Sequence, residues 1–350
     1  MVTRSNNAPG SDATIHIRGI TTIGDSNPLV IIDGVPGSLN DVNPNDVENI
    51  LITTKRAKSG QLSIDYNMEY GIEKPTVLPD FVDVIRYMEI TNELRWNDNG
   101  NINDEYPIYS KDHIDNYYSN NGTDPNLYPN TDWMELVLNK TAPRQSHVLS
   151  VTAGSKDIRT KATLSYDKIE GLYDRSYERF TARINNDVTI SKSLSASMDL
   201  YAKRSSTNTL NGNPISKTWL MPPIYAATWS DGRIAEGKIG VNPYASYKYG
   251  GFSESLSNQI RGKMSIDFTP IEGLKVSAIV SPTLNFGKSK NFTKKLPYYD
   301  KNDPTQLSGY IEGLSSTKLS ENRSESYYIT SQLITSYVKS FGDHSLNAMM

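Results

Sequence analysis

The sequence contains no cysteine among its 350 residues. Disulfide frameworks, thiolate metal sites and cysteine nucleophiles are therefore excluded. A strong charge of one sign is also lacking, because 36 basic residues face 39 acidic ones, and such a chain has no broad basic field to attract nucleic acid. No segment approaches the roughly 18 consecutive apolar residues of a membrane-spanning helix. These absences leave a transmembrane β-barrel open, because barrel strands alternate and give no hydropathy peak.

Motifs of common enzymes and an export signal are missing as well. The four histidines are isolated, and no P-loop, dinucleotide fingerprint or nucleophile elbow occurs. We therefore expect no metal, no cofactor and no enzymatic activity. The first residues have no apolar segment with a cleavage site, so we expect either a cytoplasmic chain or a sequence whose beginning is missing.

What the sequence does contain favours β-structure. There are 22 tyrosines against 7 phenylalanines, and Ser, Thr, Asn and Asp are abundant, a composition typical of hydrated strands and long polar loops. Strict alternation of apolar and polar residues predicts a succession of strands from residue 61 onward. The predicted strands are 63–70, 145–153, 159–167, 177–188, 193–203, 259–268, 274–280, 326–341 and a last one from 345.

One amphipathic helix and three long loops interrupt these strands. Phe81, Val84, Ile85 and Met88 lie near helical spacing and predict a helix from Phe81 to Trp96. The loops are predicted at 97–131, 205–256 and 288–322. They are rich in aromatic residues beside Asn, Asp and Gly, which suits the binding of sugar rings or peptides. The candidates for substrate contact are Tyr117, Tyr118, Trp133, Trp229, Tyr247 and Tyr249.

The first sixty residues form a different unit. An apolar run ends in the turn pair Asp33-Gly34, which predicts a small hairpin or sheet. Pro44 precedes an acidic helix-like turn at 46–50, yet Ile50 continues directly into the strand-like segment 51–55. Alternation alone leaves two architectures open for the whole chain, an outer-membrane barrel or a soluble β-sandwich or solenoid.

Several strings resemble the SusC/RagA family of TonB-linked outer membrane transporters. The strings that resemble the family's plug domain are APGSDATIHIRGI at 8–20, NPLVIIDGVP at 27–36, LNDVNPNDVENI at 39–50 and LITTKR at 51–56. Those that resemble its barrel are NTDW at 130–133, RFTARIN at 179–185, PIEGL at 270–274 and FGDH at 341–344. The matches follow the family's order along most of the chain, and the plug strings are the more specific ones.

The sequence also departs from the family pattern. In the family a helix and a glycine-containing turn separate the segments that meet here at Ile50 and Leu51, which indicates a missing plug segment. The family's barrel has about 22 strands, whereas about nine are predicted here. The resemblance therefore implies a mainly β fold, with a partial plug domain at 1–60 followed by the first strands of a large, incomplete antiparallel transmembrane β-barrel at 61–350.

For the intact protein, the resemblance implies TonB-dependent import of oligosaccharides or peptides across an outer membrane. It also implies two protein partners, a SusD-like surface lipoprotein and the TonB energy-transducing complex. The long loops would be extracellular and would contact the lipoprotein or the substrate. Two alternatives come from other classes: a soluble or surface-exposed β-rich carbohydrate-binding protein, and a glycan-active enzyme.

Overall fold

A computed structural model describes residues 2–4, 13–15, 30–32, 35–37, 56–58, 60, 62–210, 214–342 and 344–350. Its dominant feature is a nine-stranded antiparallel sheet in which neighbours along the chain are also neighbours in space. The strands of this sheet are β5 (Leu62–Glu73), β6 (Ala142–Gly154), β7 (Ile158–Glu170), β8 (Arg175–Thr189), β9 (Leu194–Leu210), β10 (Gly251–Ile271), β11 (Leu274–Thr293), β14 (Lys318–Phe341) and β15 (His344–Met349).

The remaining elements are short. Four strands precede the sheet in sequence, namely β1 (Val2–Arg4), β2 (Ala13–Ile15), β3 (Val30–Ile32) and β4 (Val35–Gly37), and two lie between β11 and β14, namely β12 (Pro297–Tyr299) and β13 (Leu307–Tyr310). The helices are α1 (Val84–Asp98), α2 (Lys111–Asp115), α3 (Tyr117–Asn121), α4 (Pro214–Thr218) and α5 (Pro243–Tyr249). No helix within the described ranges is long and apolar enough to cross a membrane.

The connections of the meander differ at its two ends. At one end, strands are joined by the tight turns 155–157, 190–193 and 272–273, and the connection between β14 and β15 is two residues long. At the other end lie the connections 74–141, 171–174, 211–250 and 294–317. We call residues 74–141, 214–250 and 294–317 the loop layer. The predicted alternation of short and long connections is confirmed except at 171–174, where both connections flanking β8 are short.

The antiparallel architecture predicted from the alternation is confirmed, but several strands extend beyond their predicted ends. β10 is twice as long as predicted, because Gly251 to Asn258 continue the ladder, and β14 begins at Lys318 rather than at 326. These extensions carry few apolar residues, so alternation does not mark them. Their backbones nevertheless pair residue by residue, from Phe252 opposite Leu210 on one side to Thr293 opposite Lys318 on the other. The predicted loops 205–256 and 288–322 are correspondingly shorter.

The other local predictions have mixed outcomes. The predicted helix at 81–96 is found as α1, which begins three residues later because the Asp83 side chain caps it by accepting a hydrogen bond from the Arg86 amide at 2.7 Å. The predicted loop 97–131 contains α2 and α3, two short helices. β3 and β4 pair antiparallel with Ile32 opposite Val35. The turn at 33–34, the segments 46–50 and 51–55, and the junction of Ile50 with Leu51 lie outside the described residues.

The two faces of the large sheet differ in polarity and in burial, with the polar face being the buried one. We define the apolar face by exposed side chains that alternate along the strands. It includes Ile64, Tyr66, Leu164, Phe180, Leu200, Met264 and Ile266. The opposite, polar face buries Ser150, Thr163, Asn185, Asp199, Arg261, Ser265 and Thr283. A soluble sandwich buries its apolar face, so this arrangement contradicts the sandwich.

Candidate functional site

The polar face is organised by hydrogen bonds between neighbouring strands. Asn185 on β8 donates to Asp199 on β9 at 2.9 Å. Arg179 on β8 donates to Asp167 on β7 at 2.9 Å, and Asp167 also accepts from Ser146 on β6 at 2.7 Å. Because each carboxylate has several donors, burial of these charges is compensated.

A chain segment that precedes the sheet is anchored to this polar face by one arginine. Arg56 donates from one guanidinium nitrogen to Asp187 at 2.6 Å and from another to Asp199 at 2.7 Å. The three side chains are mostly shielded from solvent. Arg56 lies more than 130 residues from either aspartate in sequence, so this contact joins the chain just before β5 to β8 and β9.

The hairpin of β3 and β4 lies against the same face. Ile32 is buried beside a small cavity that Arg183, Tyr201 and Arg261 also line. A Cβ atom at Gly37 would come within 2.9 Å of an Arg261 guanidinium nitrogen, so the backbone of β4 lies close to this side chain. The guanidinium groups of Arg183 and Arg261 lie 4.8 Å and 5.9 Å from the centre of the Tyr201 ring. The polar face thus packs around the segments at 30–32, 35–37 and 56–58.

The loop layer has cores of its own. A first cluster combines Val84 and Met88 of α1 with Ile114 and Tyr117. A second combines buried Ala245, Leu296, Ile311 and Leu314, and a third combines buried Trp133, Met221 and Ala227. These clusters give the loop layer a folded interior rather than a set of separate loops.

Hydrogen bonds join the three segments of the loop layer. Trp133 donates its indole N–H to the Pro222 carbonyl at 3.1 Å, which links the first segment to the second. Arg233 donates to the Asp300 carbonyl at 2.8 Å, and the Glu312 amide donates to the Gly240 carbonyl at 2.9 Å. The Tyr247 hydroxyl accepts from the Asp174 amide in the β7–β8 connection. The layer is therefore one connected surface at one end of the sheet.

Burial raises tyrosine pKa values within this layer. The pKa of Tyr109 is raised to about 12 by burial and by the neighbouring Tyr87 and Tyr225. The pKa of Tyr247 is raised to about 12, mainly by burial, and burial also raises the pKa of Tyr117. By contrast, the Lys217 ammonium lowers the pKa of the Glu312 carboxyl, consistent with their 2.8 Å ion pair. All these groups keep their usual charge at neutral pH.

The six aromatic residues predicted to contact substrate lie in different parts of the loop layer. Tyr117, Trp133 and Tyr247 are buried and pack the layer's interior. Trp229 is partly buried, whereas Tyr118 and Tyr249 are 51% and 40% exposed. Tyr118 contacts Tyr117 edge to face at 6.5 Å. Substrate contact stays a prediction for all six, and only the exposed rings are accessible without rearrangement.

A surface cleft of about 590 Å³ opens in the loop layer beside the start of α1. Its walls are the segments 75–83 and 130–140 together with Thr218, Met221 and Pro223. Exposed Leu78 and Phe81 contribute apolar area, and Asp80 and Glu135 contribute carboxylates. This cleft was not predicted from the sequence. The only sequence signal for it is the apolar, proline-containing string PTVLPDFV at 75–82.

Arg56, Asp187 and Asp199 were also not predicted as functional residues. Arg56 is visible in the sequence only as part of a basic cluster, and the two aspartates only as polar members of alternating strands. Their meeting depends on tertiary structure. Among the described residues, no group of three or more His, Asp or Glu side chains could hold a metal ion.

Curated proteins with related sequences are TonB-dependent receptors. The chain is 27% identical to TonB-dependent receptor P26 of Formosa agariphila, over 83% of this chain and 31% of that protein. It is 28% identical to TonB-dependent receptor SusC of Bacteroides thetaiotaomicron, over 53% of this chain and 19% of that protein. The chain thus spans about a third or less of these relatives. The search against family models finds no match.

Solved structures with a similar fold come from a transport complex. A chain of the RagAB peptide transporter superposes with a TM-score of 0.75 at 20% identity, over 99% of this chain and 43% of that chain. The RagAB peptide importer in its open-open state gives a TM-score of 0.72 at 18% identity over the same shares. These structures show that the nine strands adopt the fold of part of such a transporter chain.

Fold and site together define a class of protein. A meander with an exposed apolar face and a buried polar face has the polarity of a β-barrel wall, and the sheet is left unclosed here. Together with the related sequences, this makes the chain similar to SusC/RagA-type TonB-dependent receptors over the length that it spans. One alignment, with TonB-dependent receptor P3 of Formosa agariphila, extends over 384 residues and is longer than this chain, so that relative has residues without a counterpart here.

Proposed function

We propose that this chain forms the end of the plug and the first part of the barrel in a TonB-dependent importer of the outer membrane. Residues 1–60 would belong to the plug and residues 61–350 to the barrel. The receptors and transporters to which the chain is similar support uptake as the activity of the whole protein. The cargo would be oligosaccharides or peptides, taken up without covalent chemistry.

The observation that carries this proposal is the reversed polarity of the sheet. On β10, side chains from Ile260 to Phe268 alternate between exposed apolar groups and shielded polar ones. This stretch of nine residues matches the roughly 9–11 residues with which a tilted strand crosses a bilayer. In water the exposed side would be a large apolar patch of the kind that monomeric soluble proteins avoid. In a bilayer it is the lipid-contacting surface.

The loop layer would face the outside of the cell and support a SusD-like lipoprotein. Its three segments form one connected surface with folded cores, which suits a stable docking platform better than mobile loops would. Transport by a protein pair is named for RagAB. Tyr118 and Tyr249, the exposed members of the predicted substrate contacts, would then meet cargo between the loop layer and the lipoprotein.

Uptake by the full-length receptor tests this function. Cells that express it would be given fluorescent peptides and oligosaccharides, with and without a protonophore that removes the energy for TonB. We expect energy-dependent uptake of one cargo class. The variants Tyr118→Ala and Tyr249→Ala should reduce uptake, whereas Tyr70→Ala, an exposed tyrosine on the apolar face, should leave it unchanged. Hydrolysis of the glycans, or a protein that stays monomeric in buffer without detergent, would contradict the proposal.

Topology can be tested separately, because the chain has no cysteine. Leu220→Cys would place a thiol on the exposed part of the loop layer, and Lys156→Cys would place one in a tight turn at the opposite end. A membrane-impermeant maleimide applied to intact cells should label the first variant only. Labelling of Lys156→Cys alone would reverse the proposed orientation.

A further inference from the structure

A row of aromatic rings crosses four strands on the apolar face. Tyr66 on β5 stacks on His147 with ring centres 6.2 Å apart, and His147 stacks on Tyr166 at 6.1 Å. Tyr166 then meets Phe180 on β8 at 4.6 Å. On β6, β7 and β8 the row lies where the apolar stretch ends on the side of the loop layer, because the next residues on this face are Gln145, Lys168 and Glu178. Aromatic rings at the end of the apolar stretch of a strand are typical of the membrane–water interface.

The residue that follows Phe180 along this row, on the next strand, is the cation Arg204. Arg204 on β9 lies directly opposite Phe180 on β8 and opposite Asn258 on β10, and its side chain is exposed. The carboxylate one row closer to the loop layer, Glu178, lies 4.0 Å from the Lys168 ammonium. Within the described part of the chain, Arg204 has no ion pair with a carboxylate.

Directly beyond Arg204, toward the centre of the apolar stretch, the face is indented. Ala182 and Ala202 are opposite each other in the β8–β9 ladder, and larger Leu164 and Ile260 flank them on the neighbouring strands. The resulting groove has a volume of about 560 Å³, and its rim includes Arg204 and the ring row. An apolar channel with the Arg204 cation at its interfacial end complements a molecule with an acyl chain and an anionic headgroup.

We propose that this groove binds one lipid of net negative headgroup charge in the leaflet next to the loop layer. The guanidinium of Arg204 holds the headgroup, with Asn258 and His147 as flanking polar groups. An acyl chain lies over Ala182 and Ala202 between Leu164 and Ile260. This site rests on the proposed membrane location, and it adds a specific lipid contact to a surface otherwise covered by bulk lipid.

Lipid retention by the full-length receptor tests the site. The purified protein would be placed in nanodiscs of phosphatidylcholine with a minor fraction of phosphatidylglycerol, and retained lipids would be counted by native mass spectrometry. We expect preferential retention of phosphatidylglycerol. Arg204→Gln should lower the apparent affinity for this lipid about fivefold, the factor that one cation near an anionic surface contributes. Ala202→Leu, which fills the groove, should also lower it. Inorganic phosphate should not compete.

The matched control is Arg323→Gln, because Arg323 on β14 is an exposed cation on the same face but outside the groove. It should leave retention unchanged. Equal retention of both lipids by the wild type, or equal losses in Arg204→Gln and Arg323→Gln, would overturn the proposal. These outcomes differ from failure of the proposed function: a receptor that inserts and imports cargo without lipid preference loses only this site, whereas one that does not enter the nanodisc loses both.

Discussion

Single charged residues anchor the chain around Arg56 to the polar face of the sheet. Asp199 is buried on the polar face and accepts hydrogen bonds from both Asn185 and Arg56. A buried carboxylate is costly without such donors. The arginine therefore matters more than a surface cation would, since its loss leaves two aspartates without their common partner.

Arg56→Met keeps much of the side-chain volume and removes the charge. We expect it to lower the free energy of unfolding by about 1.5–3 kcal/mol, the range for hydrogen bonds to charged groups. Urea unfolding of the full-length receptor in micelles, followed by tryptophan fluorescence, measures this. The control is Arg95→Gln, whose ion pair with Asp98 is long, at 3.9 Å, and exposed, so its effect should stay below about 0.5 kcal/mol. Equal losses of unfolding free energy in the two variants would show that the Arg56 contact stabilises the protein no more than an exposed ion pair does.

Buried tyrosines give the loop layer a predicted sensitivity to alkali. The pKa values of Tyr109 and Tyr247 are about 12 when folded, against about 10 when unfolded. Between these values the unfolded chain releases protons that the folded chain keeps, so stability is full below pH 10 and falls as the pH rises toward 12. Tyrosinate absorbance against pH should show a late-ionising group of tyrosines. Tyr247→Phe should remove one of them, and a single transition near pH 10 in the wild type would contradict the prediction.

At the scale of elements, apolar and polar side chains alternate strictly in the middle of the strands, and this alternation is lost toward the loop layer. In the middle of β10, Met264 and Ile266 alternate with Ser265 and Asp267, and the sequence predicts this stretch correctly. Toward the loop layer polar residues predominate on both faces and apolar ones are scattered, so the alternation fades while the backbone ladder continues. The strand ends were mispredicted because polar residues predominate on both faces beyond the apolar stretch, and such residues give no alternation from which a strand could be predicted.

A comparison of depths along the strands tests this picture. Met264 and Leu319 are exposed to similar extents, 64% and 59%, and both lie on the apolar face. Met264 is in the middle of β10, whereas Leu319 is at the loop-layer end of β14. In a bilayer, Met264→Lys should cost about 2–4 kcal/mol and Leu319→Lys about 0–1 kcal/mol. Reversible unfolding from lipid vesicles measures both, and equal costs would argue against a membrane-embedded β10.

At the scale of the whole molecule, the sheet has two edges. β5 and β15 each pair with one neighbour within the described ranges, so each presents a row of backbone N–H and C=O groups without a ladder partner there. In hydrocarbon such groups cost several kcal/mol each. The chain covers 43% of the structural neighbour to which it is similar.

The 350-residue chain expressed by itself should therefore form no ion-conducting pore in a planar bilayer and should associate through its sheet edges. Size-exclusion chromatography in detergent, compared with the full-length receptor, would detect the association. A monodisperse monomer with stable conductance from these 350 residues alone would contradict the open-edge argument.

The sequence by itself determined the β class, the strand centres, the helix near 81–96 and the resemblance to SusC/RagA transporters, because period-2 alternation and the matching strings are local features. It left the barrel and the sandwich equally possible, since both require one apolar face. Only the tertiary structure decided between them, by burying the polar face against Arg56 and Ile32 and leaving the apolar face open. The contact of Arg56 with Asp187 joins distant parts of the chain. Which residues meet in such a contact depends on the register of the sheet, and no local sequence pattern specifies that register.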